Sequence, residues 1–376
     1  MGTNCDPRRI LASEVEEIKR AVSIPVITVG RYTEPQFAEL MVKEGRADLV
    51  AFGRQSLADP AMPKKAFEER LEDMTPCIAC LQGCVANMYA GNPVCCLTNP
   101  FLGHEAQPVE PAEKSKKIMV VGGGVAGLCA AFIAKEKGHD VTLYEAGDIL
   151  GGNMRLAAYP PGKGDITNMI RSYIHRCQKD GVKIVMNCEV TPELVKEEKP
   201  DSVIIATGSK TLILPIEGID DPAIIHGSDL LDGKRGAGKK VLVVGGGMVG
   251  CETAAFLGEQ EHDVTVIEFR DTVGADVIHE HRVYLMKDFE DYGIKEITGA
   301  KVCRFYEDGV EYETADGVRH ETRGYDSVIL SMGFRNYNPL EEQIKDIVDT
   351  HVIGDAIRAR RALDATKEAY EVASRI

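Results

Sequence analysis

The segment KKIMVVGGGVAGLCAA, which begins at Lys116, returns as KKVLVVGGGMVGCETAA at Lys239. An apolar run, then Gly-x-Gly-x-x-Gly, then a run of small residues describes a buried strand that turns tightly into a helix. A chain that carries this pattern twice is constrained to parallel α/β architecture with an internal duplication. In the first copy Gly122, Gly124 and Gly127 follow the strand at 118–121, and glycines there let backbone amides approach a pyrophosphate at the positive end of the helix. The next strand, VTLYE, ends about twenty residues on at Glu145, where a carboxylate can accept hydrogen bonds from a ribose diol. The second copy repeats the arrangement with Gly245, Gly247, Gly250 and a strand VTVIE ending at Glu268. A glycine-rich turn with an incidental acid would not place strand, glycines, helix, strand and acid in this order, so two bound dinucleotides are expected. Glu268 favours NADH, because a carboxylate repels the 2′-phosphate of NADPH, whereas Arg270 two residues later acts in the opposite sense.

A length of 376 residues exceeds one ordinary core, so several units are expected. With 59 acidic and 44 basic residues the formal charge is −15, which opposes binding to nucleic acid or to an anionic membrane surface. The uncharged run 118–134 is short for a membrane span and holds four glycines, so a buried strand, turn and helix explains it better. The start MGTNCDPRR lacks the apolar stretch of a signal peptide, and Asp6 stands where a myristoylation signal needs Ser or Thr. A cytoplasmic protein is expected.

Upstream of the duplication, residues 24–30 (IPVITVG) and 48–53 read as unbroken apolar strands, with helices at 34–44 and 60–73. That is parallel α/β texture, but two parallel strands cannot build a closed core, so open edges and exposed apolar faces are expected. Both strands end in Gly-Arg, at Gly30-Arg31 and Gly53-Arg54. At successive parallel strands this pairing suits a phosphate held by backbone amides and a guanidinium, as in a (β/α)8 barrel; solvated arginines at loop starts are the alternative.

Eleven cysteines in one chain, clustered between Cys77 and Cys96, point to metal ligation in a reducing compartment rather than to a disulfide framework. The loop at 75–103 reads Cys77-x-x-Cys80-x-x-x-Cys84, then eleven residues, then Cys96-Leu-Thr-Asn-Pro. Three close thiolates and one distant one suit a cubane cluster, whose four irons each need one ligand. A zinc loop more often presents two separated pairs. A redox dithiol of Cys77 and Cys80 is a further reading, although neither dinucleotide unit carries a CxxC of its own. Cys95, beside Cys96, stands as an alternative fourth ligand. Mixed charge and proline mark 104–116 as a linker.

GGN at 151–153, with Gly152 and Asn153, IIATGS at 204–209, with Gly208, and VIGDA at 352–356, with Gly354 and Asp355, resemble the FAD-domain motifs of two-dinucleotide flavoproteins. By that resemblance FAD lies on the first unit, the nicotinamide domain is inserted within it, and Asp355 returns to the FAD ribityl-phosphate region. Together IPVITVGR, DLVAFGRQSLADP, CIACLQGC with CLTNP, and GGNMRLAAYPPGK resemble the 2,4-dienoyl-CoA reductase, enoate reductase and trimethylamine dehydrogenase family. The resemblance implies Arg31 and Arg54 at an FMN phosphate and a [4Fe–4S] cluster on Cys77, Cys80, Cys84 and Cys96. It also implies an electron path from NAD(P)H through FAD, cluster and FMN to substrate.

The expected fold is α/β: two Rossmann-like domains preceded by the last two βα units of a truncated TIM barrel and a cysteine-rich loop. The boundaries expected are 1–74 for the barrel remnant, 75–103 for the cluster loop and 104–116 for the linker. The FAD domain takes 117–226 with 324–376, and the nicotinamide domain takes 227–323. The family's flavin-ring and substrate contacts precede the start of this chain, so FMN is expected only where the barrel is completed by a separate polypeptide or a second copy. No side chain is singled out as catalytic, because hydride transfer from nicotinamide to FAD needs only placement of the two rings. Two rival functions are an electron-transfer subunit that needs a separate barrel polypeptide and an FAD-dependent thiol or disulfide reductase using Cys77 and Cys80.

Overall fold

The computed structural model describes residue 3, residues 10–107 and residues 109–376. The chain forms two compact units: Met1–Arg155 with Asp165–Gly208 and Asn336–Ile376, and Leu156–Gly164 with Ser209–Arg335.

In the first unit the N-terminal strands β1 (Ile27–Thr28) and β2 (Leu49–Val50) pair in parallel, Ile27 opposite Leu49. Helix Pro35–Lys43 connects them, and Val15, Tyr32, Met41 and Ala47 form a small core. Both strands are shorter than the spacing predicts, since each has one neighbour to hold its ladder. Ile24, Ile27, Val29 and Leu49 are 67%, 59%, 50% and 54% exposed, as expected of an incomplete sheet. The single helix expected over 60–73 is instead broken. Met62–Phe67 is helical, Glu69 turns to φ +57°, and Leu71–Asp73 is a 3-10 turn. Asp59 causes the bend: its carboxylate accepts from the amides of Ala61 and Thr75 and from Lys65 Nζ, drawing the chain back toward the cysteine loop.

The main sheet of this unit comprises β3 (Lys117–Val121), β4 (Asp140–Tyr144), β5 (Lys183–Val185), β6 (Ser202–Ile205) and β17 (Asp349–Val352). Their order is β17-β6-β3-β4-β5, all parallel. Helices cover a parallel sheet on both faces, which is why β3 after Lys117 and β6 after Ser202 run apolar and buried instead of alternating. The uncharged run 118–134 resolves into β3, the glycine turn and helix Val125–Glu136, which packs against helices Ile166–Lys179 and Ala362–Ala373. Among the described residues no helix is long and apolar enough to cross a membrane.

The second unit repeats the design with β8 (Ile225–His226), β9 (Lys240–Val244), β10 (Asp263–Ile267), β11 (Lys295–Ile297) and β15 (Ser327–Leu330), in the order β11-β10-β9-β15-β8. An antiparallel sheet of β12 (Lys301–Tyr306), β13 (Gly309–Glu313) and β14 (Arg319–Thr322) buries Phe305 and Val310 against Leu242 and Val244. Strands β7 (Ser209–Thr211) and β16 (Phe334–Asn336) pair where the chain enters and leaves. This unit is wider than the expected 227–323, and the expected FAD span 117–226 is correspondingly reduced. The reason is hydrogen bonding: β8 and β15 pair with each other and β15 pairs with β9, so both belong to the second sheet. Residues 156–164 also join it.

Candidate functional site

The glycine turns sit at the carboxyl ends of β3 and β9, where ligands of open α/β sheets bind. Gly122 and Gly245 hold φ +109° and +108°. A Cβ on Gly122 would stand 2.3 Å from the Ala206 carbonyl, and one on Gly245 would stand 2.4 Å from that of Ser331. The third glycines are closer still: a Cβ on Gly127 or Gly250 would come within 1.9 or 1.8 Å of the carbonyl oxygen of Gly122 or Gly245. Duplication therefore extends from the motif to its supporting strand, with Ser331 of the Ser331-Met332-Gly333 run after β15 answering Ala206 of the Ala206-Thr207-Gly208 run after β6. Above Gly124 the space is open.

The acids behave alike. Glu145 Oε2 accepts from the Gly123 amide at 2.6 Å and Oε1 from the Gly147 amide at 2.7 Å. Glu268 Oε2 accepts from Gly246 at 2.6 Å and Oε1 from Arg270 at 2.9 Å. Each carboxylate thus ties the end of the second strand to the glycine turn.

The remaining FAD-motif residues of the first unit gather at the same sheet end. Gly151 bridges Gly124, and its amide donates to the Gly123 carbonyl at 2.8 Å. That lays Gly152 against the turn, with Asn153 opening the helical turn that follows. Gly208 follows β6 at φ +74°, and its carbonyl accepts from the Tyr337 amide. Past β17, the Gly354 amide donates to Glu368 Oε2 at 2.7 Å, and Asp355 Oδ1 accepts from the Arg360 amide at 3.0 Å.

The two Gly-Arg pairs diverge. Gly30, at φ +129°, lies against Ile10 and Leu11. The Arg31 side chain is 4% exposed and forms an ion pair with Asp165. Gly53 has open space beside it. Arg54 opens the short helix Arg54–Ala58 and lines a cavity shared with Cys77, Cys80, Cys84, Cys95 and Cys96. The structure thus brings Arg54 to the cysteine loop and Arg31 to an internal carboxylate.

The thiols ring this cavity rather than converge on a point. Among the described residues no three His, Cys, Asp or Glu side chains are placed to hold a single metal ion. Cys77, Cys80, Cys84 and Cys96 feel one another electrostatically. Cys95 instead turns its sulfur onto the Gly83 carbonyl at 3.6 Å and accepts from Asn87 Nδ2 at 3.3 Å. Burial pushes the Cys77 thiol up to about 11 and raises Cys80 and Cys96 as well. Backbone amides partly oppose this, Ala79 donating to Cys77, Gln82 to Cys80, and Thr98 and Asn99 to Cys96. Ala79 and Leu81 adopt φ +50° and +59°, strained for residues with a Cβ, in the turn that presents these donors. Buried thiols with converging N–H groups fit a cluster whose sulfurs need hydrogen-bond donors.

Several groups escaped the sequence reading. Asp276 Oδ1 accepts from the Met248 amide at 2.8 Å, placing a carboxylate at the start of helix Met248–Glu259. Glu252, buried one turn further on, pairs with Lys163. An acid inside the otherwise apolar MVGCETAAFL was the available signal. Tyr173, buried, donates to the Leu97 carbonyl beside Cys96 at 3.1 Å.

A model of the pyridine nucleotide-disulphide oxidoreductase family matches residues 116–350, and one of the NADH:flavin oxidoreductase / NADH oxidase family matches residues 3–73. The chain is 37% identical to an NADH oxidase of Thermoanaerobacter brockii over 96% of its own length and 57% of the relative's. It is 33% identical to a cinnamate reductase of Clostridium sporogenes, covering 96% of this chain and 54% of that one. A structure of 2-naphthoyl-CoA reductase superposes with a TM-score of 0.95 at 32% identity, over 100% of this chain and 57% of the other. The chain thus spans a little over half the length of the proteins it matches. It belongs to the pyridine nucleotide-disulphide oxidoreductase family, in the dienoyl-CoA and enoate reductase-like branch that joins this module to an NADH:flavin oxidoreductase barrel, and corresponds to the C-terminal part of such proteins.

Proposed function

We propose that the chain is the input module of an NAD(P)H-dependent iron–sulfur flavoprotein, with FAD on the first unit and a nicotinamide dinucleotide, NADH in preference, on the second. The observation that carries this reading is the duplicated cradle: two glycine turns against matching carbonyls, each tied to an acid, in a chain whose cysteines ring one buried cavity. Gly122, Gly124 and Gly127 with Glu145 hold FAD, assisted by Gly152, Asn153, Gly208, Gly354 and Asp355. Gly245, Gly247, Gly250 and Glu268 hold the nicotinamide nucleotide. Cys77, Cys80, Cys84 and Cys96 are the four ligands of a [4Fe–4S] cluster, and Cys95, whose sulfur lies on the Gly83 carbonyl, is not.

When bound, FAD accepts hydride from the nicotinamide and the cluster passes single electrons onward. The protein's share is to hold pyrophosphates on its turn amides, hold riboses on its carboxylates and keep water from the thiol cavity. No side chain need move a proton in hydride transfer. Relatives named NADH oxidase and cinnamate reductase favour an oxygen or ene-type acceptor in the longer proteins. A second reading, an electron-transfer subunit on which a separate barrel polypeptide or a second copy packs, is favoured by the exposed Ile24, Ile27, Val29 and Leu49. FMN enters only in such a completed barrel.

Mixing the anaerobically purified chain with FAD and NADH should bleach the flavin band, and iron and acid-labile sulfide should each approach four per chain. A flavin band unmoved by NADH and NADPH would overturn the hydride input. Iron and sulfide near zero would overturn the cluster and favour a dithiol of Cys77 and Cys80.

A further inference from the structure

We infer that Thr98 is a positioning residue for the cluster: its hydroxyl donates to the sulfur of Cys96 and raises the redox potential of the group that Cys96 ligates. The inference rests on the cluster reading above, which leaves the Thr98 side chain without a role.

Thr98 Oγ1 lies 3.3 Å from Cys96 Sγ, and the residue is 2% exposed. A thiol can give its proton to the hydroxyl, but a ligating thiolate has none to give, so with a cluster bound the O–H is the donor. Among the described residues Cys96 is the one proposed ligand whose sulfur meets a side-chain hydroxyl. Cys77 and Cys80 take a backbone donor, from Ala79 and Gln82, whereas Cys96 takes the Thr98 and Asn99 amides in addition to the hydroxyl.

The turn that carries these donors is fixed on both sides of Thr98. Before it, the buried Tyr173 donates to the Leu97 carbonyl at 3.1 Å, and Leu97 is itself fully buried. After it, Asn99 Nδ2 donates to the Leu57 carbonyl at 2.8 Å while Asn99 Oδ1 accepts from the Phe101 amide at 3.1 Å. A β-branched side chain on so fixed a backbone has little rotamer freedom, so the hydroxyl stays aimed at the sulfur. Reduction places one further electron, supplied by the reductant, on an already anionic cluster. A donor on a ligating sulfur draws charge from it and stabilises the reduced form more than the oxidised one, and the effect is stronger away from water. The Thr98 hydroxyl therefore raises the potential.

The test uses the full chain, purified anaerobically as wild type, Thr98→Val, Thr98→Ala and Thr98→Ser. Iron, sulfide and FAD are counted per chain, and the reduced cluster is followed by electron paramagnetic resonance during a titration with dithionite and mediators. Thr98→Val keeps the shape and removes the donor, so at a fixed potential its reduced-to-oxidised ratio should fall about tenfold, equal to 59 mV for a one-electron couple. Thr98→Ala should fall in the same sense, which gives the reading should Thr98→Val shed its iron. Thr98→Ser keeps the donor and should stay within about twofold of wild type. Iron lost from the valine and alanine variants but kept in the serine variant would support the same bond. A wild-type ratio in Thr98→Val or Thr98→Ala would overturn the inference, as it would if Cys95 were the ligand. Equal shifts in all three variants, or iron lost from all three, would also overturn it, since packing and not the hydroxyl would then be at work. A wild-type chain without iron removes the cluster reading itself, a failure distinct from these.

Discussion

The two glycine turns share one scaffold yet differ in what faces them. Over Gly124 of the first unit there is open space, and Gly151 from the following loop bridges the turn from the side. Over the second, the loop after β10 returns Asp276 to the Met248 amide, with its Oδ2 3.5 Å from where a Cβ on Gly247 would lie. Strand, turn and acid were duplicated, and the loops between acid and next helix were not. The first loop leaves a cradle ready for a resident group, while the second fills the anion position with a carboxylate of the chain itself. A nucleotide that must leave after each turnover suits the second arrangement, because an internal anion competes for the donor it vacates.

The largest effect expected from this comparison comes from the third glycines. Neither Gly127 nor Gly250 can accept a Cβ without moving the turn, since the nearest carbonyl oxygen would be 1.9 or 1.8 Å away. Overpacking of this kind costs about 1–3 kcal/mol or more. Gly127→Ala should lose most of its FAD while retaining its iron. Gly250→Ala should keep FAD and raise KM for NADH by about tenfold, the equivalent of 1.4 kcal/mol. Counting flavin and iron per chain and measuring KM checks both; exchanged phenotypes would reverse the assignment of the two nucleotides.

Next come the acids. Glu268→Ala removes the charge that opposes a 2′-phosphate, so the ratio of kcat/KM for NADH over NADPH should fall several-fold, roughly 1 kcal/mol. It also strands the Gly246 and Arg270 amides, so some loss of stability accompanies it. Glu145→Ala should leave that ratio unchanged and release FAD. An unchanged ratio in the Glu268 variant would mean that this carboxylate does not read the ribose.

These contrasts also mark what the sequence could reveal. The turns and both acids were legible because each is a fixed spacing imposed by local geometry, a strand of set length and a tight turn. The thiols were legible as neighbours on one loop, and their role as ligands is the proposal made above. The choice of Cys96 over Cys95 came from family likeness alone; in the structure the Cys95 sulfur lies on the Gly83 carbonyl and accepts from Asn87. Asp276, Lys163 and the exact domain boundaries were not legible, because each depends on contacts between residues far apart in the chain. The two-residue strand β8 carries no periodicity, and its membership in the second sheet is decided by β15, about a hundred residues later. Arg54 shows the same limit from the other side: the Gly-Arg motif located it, but the Gln55 and Asn99 hydrogen bonds decide which cavity it lines.

A smaller effect separates the units by pH. The first unit alone carries the N-terminal strand pair, and Asp73 fastens that segment to helix Ile166–Lys179 through Lys179 and His175. Lys179 foremost, then His175 and Arg70, holds the Asp73 carboxyl well below the usual carboxylate range. A folded pKa below the unfolded value of about 3.9 means that this stabilisation is complete above that pH and is lost as the pH falls through the folded value. Asp73→Asn should lower the temperature at which FAD fluorescence appears at pH 7, and its deficit against wild type should shrink toward pH 3. A deficit that stays constant over that range would show that the contribution of Asp73 is not electrostatic.

The smallest effect tests the comparison most directly. Asp276→Asn removes the internal anion at the start of helix Met248–Glu259 while keeping an oxygen that can accept from the Met248 amide. If Asp276 competes with the pyrophosphate, the Kd for NADH should tighten up to a few-fold, roughly 0.3–1 kcal/mol, the range for one charge at an exposed helix terminus. The gain should be largest at low ionic strength, because added salt screens the carboxylate in wild type and leaves the variant little to gain. Flavin content should not change, since among the described residues no carboxylate accepts from the start of helix Val125–Glu136 as Asp276 does from Met248. A Kd unmoved at low salt would mean that the carboxylate swings clear without cost, and that the two turns differ in sequence but not in how readily they receive a nucleotide.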